Sequence, residues 1–229
     1  MVDRVSLESK MSKRQIVSRQ RVTDHGEVFT RIREVNAMLD LVKQETERID
    51  SRFLEPACGT GNFLSEVLRR KLRVVEDRYR KNQLEYERYA VLAVSSIYGI
   101  DLLEDNVFEC RLRLFDILDR QYSRLYGTAA REECRAAVRY ILGRNIICGD
   151  ALTLKTAKDD PQPIVFSHWS LVRGSMIKRR DFTFKELLSR AEDKELALFA
   201  GHAGEAFIPE PVREYPMIHF LRVADVEHS

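Results

Sequence analysis

Phe53-Leu54-Glu55-Pro56-Ala57-Cys58-Gly59-Thr60-Gly61-Asn62-Phe63-Leu64 is the stretch on which the fold turns. A short apolar segment, Arg52–Glu55, runs into a proline and two glycines. Beyond them Phe63, Leu64, Val67 and Leu68 recur at the spacing of one helix face. Proline cannot donate to a strand ladder, and glycine accepts the positive φ of a tight turn. The order is strand, glycine turn, helix.

Outward from this unit the alternation repeats. Upstream, Val35, Met38, Leu39 and Val42 have helical spacing. Downstream, the pattern predicts a helix from about Asp77 to Val94 and a buried strand within Ser95–Asp101. A helix over Glu104–Tyr126 follows, with Val107, Leu114, Leu118, Tyr122 and Leu125 inward. Another spans Arg131–Leu142 and stops at Gly143 as its C′ residue. Asn145–Asp150 is a third strand, and Pro163-Ile164-Val165-Phe166 begins a fourth. Strands alternating with helices predict an α/β protein with a parallel sheet covered on both faces.

The two ends differ. Through Asp24, Lys10, Lys13, Arg14, Arg19 and Arg21 stand among few large apolar residues, which predicts a solvated basic arm over 1–24. A main domain is expected over 25–195, closing with a helix from the capping box at Thr183–Glu186 to about Glu192. Residues 196–229, with Pro209, Pro211 and Pro216, are expected as an extended tail.

Of 229 residues, 44% are hydrophobic, enough for a sizeable core, and 38 Lys+Arg nearly cancel 36 Asp+Glu, which argues against a polycationic coat. No apolar run reaches the ~20 residues of a membrane span. Met1-Val2-Asp3-Arg4 is too polar to open a signal peptide. Cys58, Cys110, Cys134 and Cys148 form no C-x-x-C pair and read as reduced thiols, with no metal site implied. The expectation is a soluble cytoplasmic protein.

In an open parallel sheet, ligands sit at the carboxyl ends of the strands. Three groups fall at such ends: the Gly59–Gly61 turn, Asp101 and Asp150. Glycines let the backbone pass close to a ligand. Asp101 is suited to ribose hydroxyls and Asp150 to the exocyclic amine of an adenine, so an adenosine-type cofactor would satisfy all three. The turn is neither G-x-G-x-x-G nor G-x-x-x-x-G-K-[ST], which disfavours dinucleotide and P-loop readings. Each element alone has an ordinary explanation, as a tight turn or a helix cap.

The complete string Phe53–Leu64 closely resembles motif I of the adenine-N6-specific DNA methyltransferases of restriction–modification systems. His25-Gly26-Glu27-Val28-Phe29-Thr30 and the helix after it resemble that family's motif X, Tyr98–Leu102 its motif II, and Ile147–Leu152 its motif III. The resemblance implies a Rossmann-like methyltransferase fold, S-adenosylmethionine as cofactor and DNA as substrate. It implies a cofactor site of Thr30, Glu55, Ala57, Gly59, Gly61, Asp101, Leu102, Asp150 and Leu152. Glu55 would face the methionine ammonium, and Leu102 and Leu152 the adenine ring.

Two departures stand out. Arg31 occupies the place where the family has proline after the motif X threonine. More seriously, the catalytic Asn/Asp-Pro-Pro-Tyr/Phe tetrapeptide is found nowhere in the chain, so no catalytic residue can be named. At the expected point stands Ile164-Val165-Phe166-Ser167-His168-Trp169-Ser170, in which Trp169 is expected as a core or interface anchor and His168 as a solvated neighbour. After Asp150 only 79 residues remain, short for the rest of such a sheet at ~30 residues per βαβ unit. The expected fold is therefore shortened in its second half. That leaves a strand edge and apolar surface for a second protein chain, and a basic run, Lys178-Arg179-Arg180, for a partner or DNA. The expected function is an S-adenosylmethionine-dependent DNA methyltransferase, or a methylase subunit that needs a partner. The alternative is a catalytically inactive cofactor-binding or interaction module.

Overall fold

The computed structural model describes residues 30–189 and 210–228. The chain divides into two units, Met1–Thr30 and Arg31–Ser229, and the first is represented by Thr30 alone. The expected basic arm and His25–Phe29 of motif X lie outside the described residues.

Helices α1 (Ile32–Leu41) and α2 (Lys43–Thr46) lead into strand β1 (Phe53–Glu55). Two helices, α3 (Asn62–Tyr79) and α4 (Gln83–Ser95), connect β1 to β2 (Ile97–Asp101). Two more, α5 (Glu104–Tyr126) and α6 (Glu132–Asn145), connect β2 to β3 (Ile146–Asp150), and β4 (Lys155–Thr156) follows. The sheet order is β1-β2-β3-β4. β1, β2 and β3 are parallel, with Glu55 opposite Gly99 and Asp101 opposite Cys148, and β4 is antiparallel to β3.

The side-chain period of two divides β2 between two cores. Ile97 joins the large cluster built by α3 to α6, whereas Tyr98 and Ile100 face a smaller one with Ile164, Phe166 and Phe184. One sheet face is thus covered by four helices and the other by the segment from Ile164 onward. Tyr98 fastens that second layer, its hydroxyl donating to the Ser167 carbonyl at 3.1 Å.

Helix boundaries follow local polar partners. α3 runs through Tyr79, and α4 starts only at Gln83, because the Asn82 side chain caps it by accepting from the Glu85 N–H. A single helix from Asp77 is therefore corrected to a break at residues 80–82. Gly143 is not a C′ residue, since α6 continues to Asn145. The Asn145 amide donates to the carbonyls of Ser95 and Ile97 and accepts from Trp169 Nε1 at 3.2 Å, so tertiary bonds hold the last turn.

The largest departure lies in the second half. β5 (Val165–Leu171) begins where a fourth strand is expected, but it does not join the parallel sheet. It pairs antiparallel with β6 (Met176–Thr183) along seven residue pairs, from Val165–Thr183 to Leu171–Ile177. The short strands β7 (Arg213–Glu214) and β8 (Ile218–His219) both add to β6. Residues 184–189 are helical behind the Thr183–Glu186 capping box, whose Thr183 N–H donates to Glu186 Oε2 at 3.0 Å. The described part of the tail is not simply extended. Phe220–His228 is a 3₁₀-helix against α6, and Phe220 and Val223 are buried in the main cluster.

The basic run is not a free cationic surface either. Lys178 and Arg180 both pair with Glu214, at 2.9 Å. Arg179 is buried, pairs with Asp181 at 2.7 Å and stacks on Tyr215 at 4.1 Å. Trp169 is buried as a core anchor between Asn145 and Tyr140. Among the described residues no helix is long and apolar enough to cross a membrane.

Candidate functional site

The carboxyl ends of β1, β2 and β3 bring one loop and two acids together. After β1 the chain keeps contact with β2, the Cys58 N–H donating to the Ile100 carbonyl at 2.8 Å. It then turns at Gly59 and Gly61, with φ of 50° and 85°. Gly61 is the residue before α3, and a Cβ there would lie 2.7 Å from Cys110 Sγ. Its glycine requirement is thus partly internal: α5 packs under the turn, and the left-handed φ disfavours any side chain.

Asp101 organises this loop. Its Oδ2 accepts the Gly59 N–H at 2.8 Å, and its Oδ1 accepts the Leu103 N–H at 3.0 Å and the Asn106 amide at 3.1 Å. Three of the roughly four lone-pair directions of the carboxylate are therefore engaged inside the protein. Among the described residues no donor takes the fourth, on Oδ2. The same acid positions the glycine turn and the first turn of α5.

Asp150 sits two residues past Cys148, the partner of Asp101 across the strands. Its Oδ1 accepts the Leu152 N–H at 2.8 Å, and this bond, with help from Thr153, holds its carboxyl below the usual range. Glu55 is half-buried at the end of β1, where desolvation raises its carboxyl pKa against the opposing pull of the Ala57 N–H. Leu102 is 52% and Leu152 94% exposed, which makes both open apolar surfaces at this end of the sheet. Ala57 is exposed in the same loop. Thr30 is exposed and belongs to the first unit, so the structure does not join it to the others. Arg31 precedes α1 with φ −69°, a value proline would share, but its N–H donates to Glu34 Oε2 at 3.2 Å.

Motif reading passes over two residues, Asn106 and Cys110. Both are buried on the first two turns of α5, and both touch the loop–acid unit. The available signal is a polar Asn five residues after Asp101 on a helix that otherwise turns apolar residues inward. Arg113 also reaches back across the turn to the Asn62 side chain. Among the described residues no group of three or more His, Cys, Asp or Glu is placed to hold a metal.

The loop, the acids and the helix packing under the turn all fall in the first two-thirds of the chain. A protein-family model described as "MmeI, DNA-methyltransferase domain" matches residues 29–162, more than half of the chain. No curated protein and no solved structure matches it. The matched span begins beside Thr30 and ends just before β5, so it holds the parallel strands and every site residue named above. The resemblance to restriction–modification DNA methyltransferases is borne out, and the chain belongs to the MmeI DNA-methyltransferase domain family.

Proposed function

We propose that this protein is an S-adenosylmethionine-dependent DNA methyltransferase of the adenine-N6 type, with a Rossmann-like cofactor domain. The observation that carries the reading is Asp101, which ties the Gly59 turn to the end of β2 and keeps one acceptor direction open. The residues fit the cofactor chemically. Asp101 would take a ribose hydroxyl, Asp150 the adenine amine, and the half-desolvated Glu55 the methionine ammonium. The exposed Leu102 and Leu152 would flank the ring, with Ala57, Gly59 and Gly61 giving close backbone approach. S-adenosylmethionine supplies an electrophilic methyl group carried on sulfur. The domain is taken as residues 25–195, between a basic arm over 1–24 and a tail from 196 whose described end, Phe220–His228, packs back against α6.

The acceptors for the target amine come from outside these 229 residues. No Asn/Asp-Pro-Pro-Tyr/Phe tetrapeptide occurs here, and Trp169, buried at 5% exposure, is committed to the core. Among the described residues β1 pairs only with β2, which leaves its other edge able to receive a strand of a second polypeptide. Because Lys178 and Arg180 share the Glu214 carboxylate, DNA contact is assigned chiefly to that partner and not to the β6 run.

The test has two stages. Calorimetric titration of the purified chain with S-adenosylmethionine should give saturable binding that Asp150→Ala weakens about tenfold. Methyl transfer to DNA, read as N6-methyladenine, should then appear only with the genetically neighbouring proteins added. Absence of binding to a folded chain would refute the cofactor reading. N6-methyladenine made by the chain alone would refute the partner requirement.

A further inference from the structure

A cavity lies at the opposite pole of the sheet. About 530 Å³ in volume, it is lined by residues that precede β1, open β2, end α3 and run along β5. These mark the amino ends of the parallel strands, whereas Gly59, Asp101 and Asp150 mark the carboxyl ends. The two poles are separated by the length of the strands, roughly 10–17 Å at about 3.3 Å per residue.

The walls combine aromatic surface with positive charge. Tyr79 and Tyr89 stack with ring centroids 4.1 Å apart and planes 8° from parallel. The floor is formed by the nearly buried Tyr98 and Trp169. Its hydroxyls are already committed: Tyr98 donates to the Ser167 carbonyl, and Ser96 to the carbonyls of Ala93 and Ile49. The floor therefore offers shape and ring surface, and charge recognition falls to the rim. Three arginines stand there against two carboxylates, and the carboxylates are spoken for, Glu47 by Lys43 at 3.6 Å and Asp50 by Arg48 at 3.7 Å. Arg52 and Arg78 are exposed and have no acidic partner among the described residues. Arg52 acts electrostatically on the Tyr98 hydroxyl, and Arg78 on the hydroxyl of Tyr79, one of the stacked rings.

Stacked aromatic rings beside two guanidinium groups without acidic partners match a ligand with a flat ring at one end and a phosphate at the other. We propose that this cavity binds a phosphorylated nucleoside, the base against the Tyr79–Tyr89 pair and the phosphate on Arg52 and Arg78. A free mononucleotide and the phosphorylated end of a nucleic-acid strand share that chemistry.

Trp169 is the single tryptophan of the chain and lies in the floor, so its fluorescence reports occupancy directly. The full chain is titrated with adenosine 5′-monophosphate, adenosine, inorganic phosphate and a short 5′-phosphorylated oligonucleotide. A saturable change with the monophosphate is expected, at least about tenfold weaker for adenosine and for phosphate alone. The doubly substituted Arg52→Ala, Arg78→Ala chain should lose about tenfold or more in affinity. Both side chains are exposed, so the fold is retained, and thermal melting verifies this. Nucleotide held at the Asp101 pole would survive these substitutions, so unchanged binding in the double variant overturns the proposal. So does a monophosphate no tighter than adenosine or phosphate, or no saturable change at all. Tighter binding of the oligonucleotide assigns the ligand to a strand end, and equal or weaker binding assigns it to the free nucleotide.

Discussion

Replacing Asp101 with alanine removes the acceptor that three donors share: the N–H groups of Gly59 and Leu103 and the Asn106 amide. A hydrogen bond to a charged group contributes about 1.5–3 kcal/mol, and a donor left where water reaches it costs less than one left dry. Asp101 is half-buried, so the lower end applies to the two backbone donors. Asn106 is buried, so the upper end applies to its amide. Because these bonds share one carboxylate, their losses do not add, and the expected destabilisation is about 2–4 kcal/mol. Urea denaturation should show this as a lowered midpoint with an unchanged slope. Asp101→Asn separates the two roles. Its remaining oxygen can still accept from Leu103 and Asn106, while its amide faces the Gly59 N–H donor to donor. Most of the stability should return in Asp101→Asn, while S-adenosylmethionine affinity stays at least about tenfold down. A midpoint equal to wild type in Asp101→Ala would refute the inference that this acid holds the loop. Wild-type cofactor affinity in Asp101→Asn would refute its proposed role toward the ligand.

Other outcomes follow from single features. Gly61→Ala, at φ 85° and 2.7 Å from Cys110 Sγ, should cost about 2–3 kcal/mol, and adding Cys110→Ala should recover the steric part but leave about 1 kcal/mol of backbone strain. Calorimetric melting of the single and double variants checks it. Asn145→Ala strands the Trp169 indole N–H and two carbonyl oxygens, for a loss of about 2–3 kcal/mol with a shifted tryptophan emission maximum. Lys71 is fully buried, its ammonium donating to the carbonyls of Ile49 and Ser51 and to Ser96 Oγ, and burial pulls its pKa down to about 7. Since the unfolded lysine titrates near 10.4, the unfolded chain holds more protons between about pH 7 and 10, and stability rises with pH across that window. Urea midpoints of wild type measured against Lys71→Met should therefore diverge in favour of wild type as pH rises from 7. A flat difference would show that the three oxygens hold the ammonium charged throughout.

Much of the loop at the carboxyl ends of the strands was legible because its determinants are local. Pro56, Gly59 and Gly61 dictate a turn wherever they stand between a strand and a helix, and Asp101 and Asp150 close apolar segments too short to be anything but strands. What the residues around 165–183 do was not legible for an equally physical reason. Val165–Leu171 mixes apolar Val165, Phe166, Trp169 and Leu171 with Ser167, His168 and Ser170, and such a short run is compatible with a parallel strand or with one arm of a hairpin. The choice is made by Val172-Arg173-Gly174-Ser175, where Gly174 takes φ 55° and turns the chain back. The basic run divides according to the period of two. In a strand, Arg179 points opposite to Lys178 and Arg180, so one arginine goes inward to Asp181 and the others stay out to meet Glu214, a residue 34 or more positions away.

The two halves of the described structure bear on catalysis in different ways. On the proposed reading, the target-binding loop would stand beside the Gly59 turn, and in an open sheet the neighbours of β1 are fixed by topology. β2 already occupies one side of β1. The other side faces no strand among the described residues, and β5, the segment next available in sequence, is held away by seven pairings to β6 and by the Tyr98–Ser167 bond. Moving β5 to β1 would break that ladder and expose Phe166 and Trp169, both nearly buried. At about 25 cal/mol for each Å² of apolar surface returned to water, exposing two large aromatics alone costs several kcal/mol. Rearrangement within this chain is therefore a poor route to a complete site. Addition of a strand from another segment to the edge of β1 that is open among the described residues breaks none of these pairings.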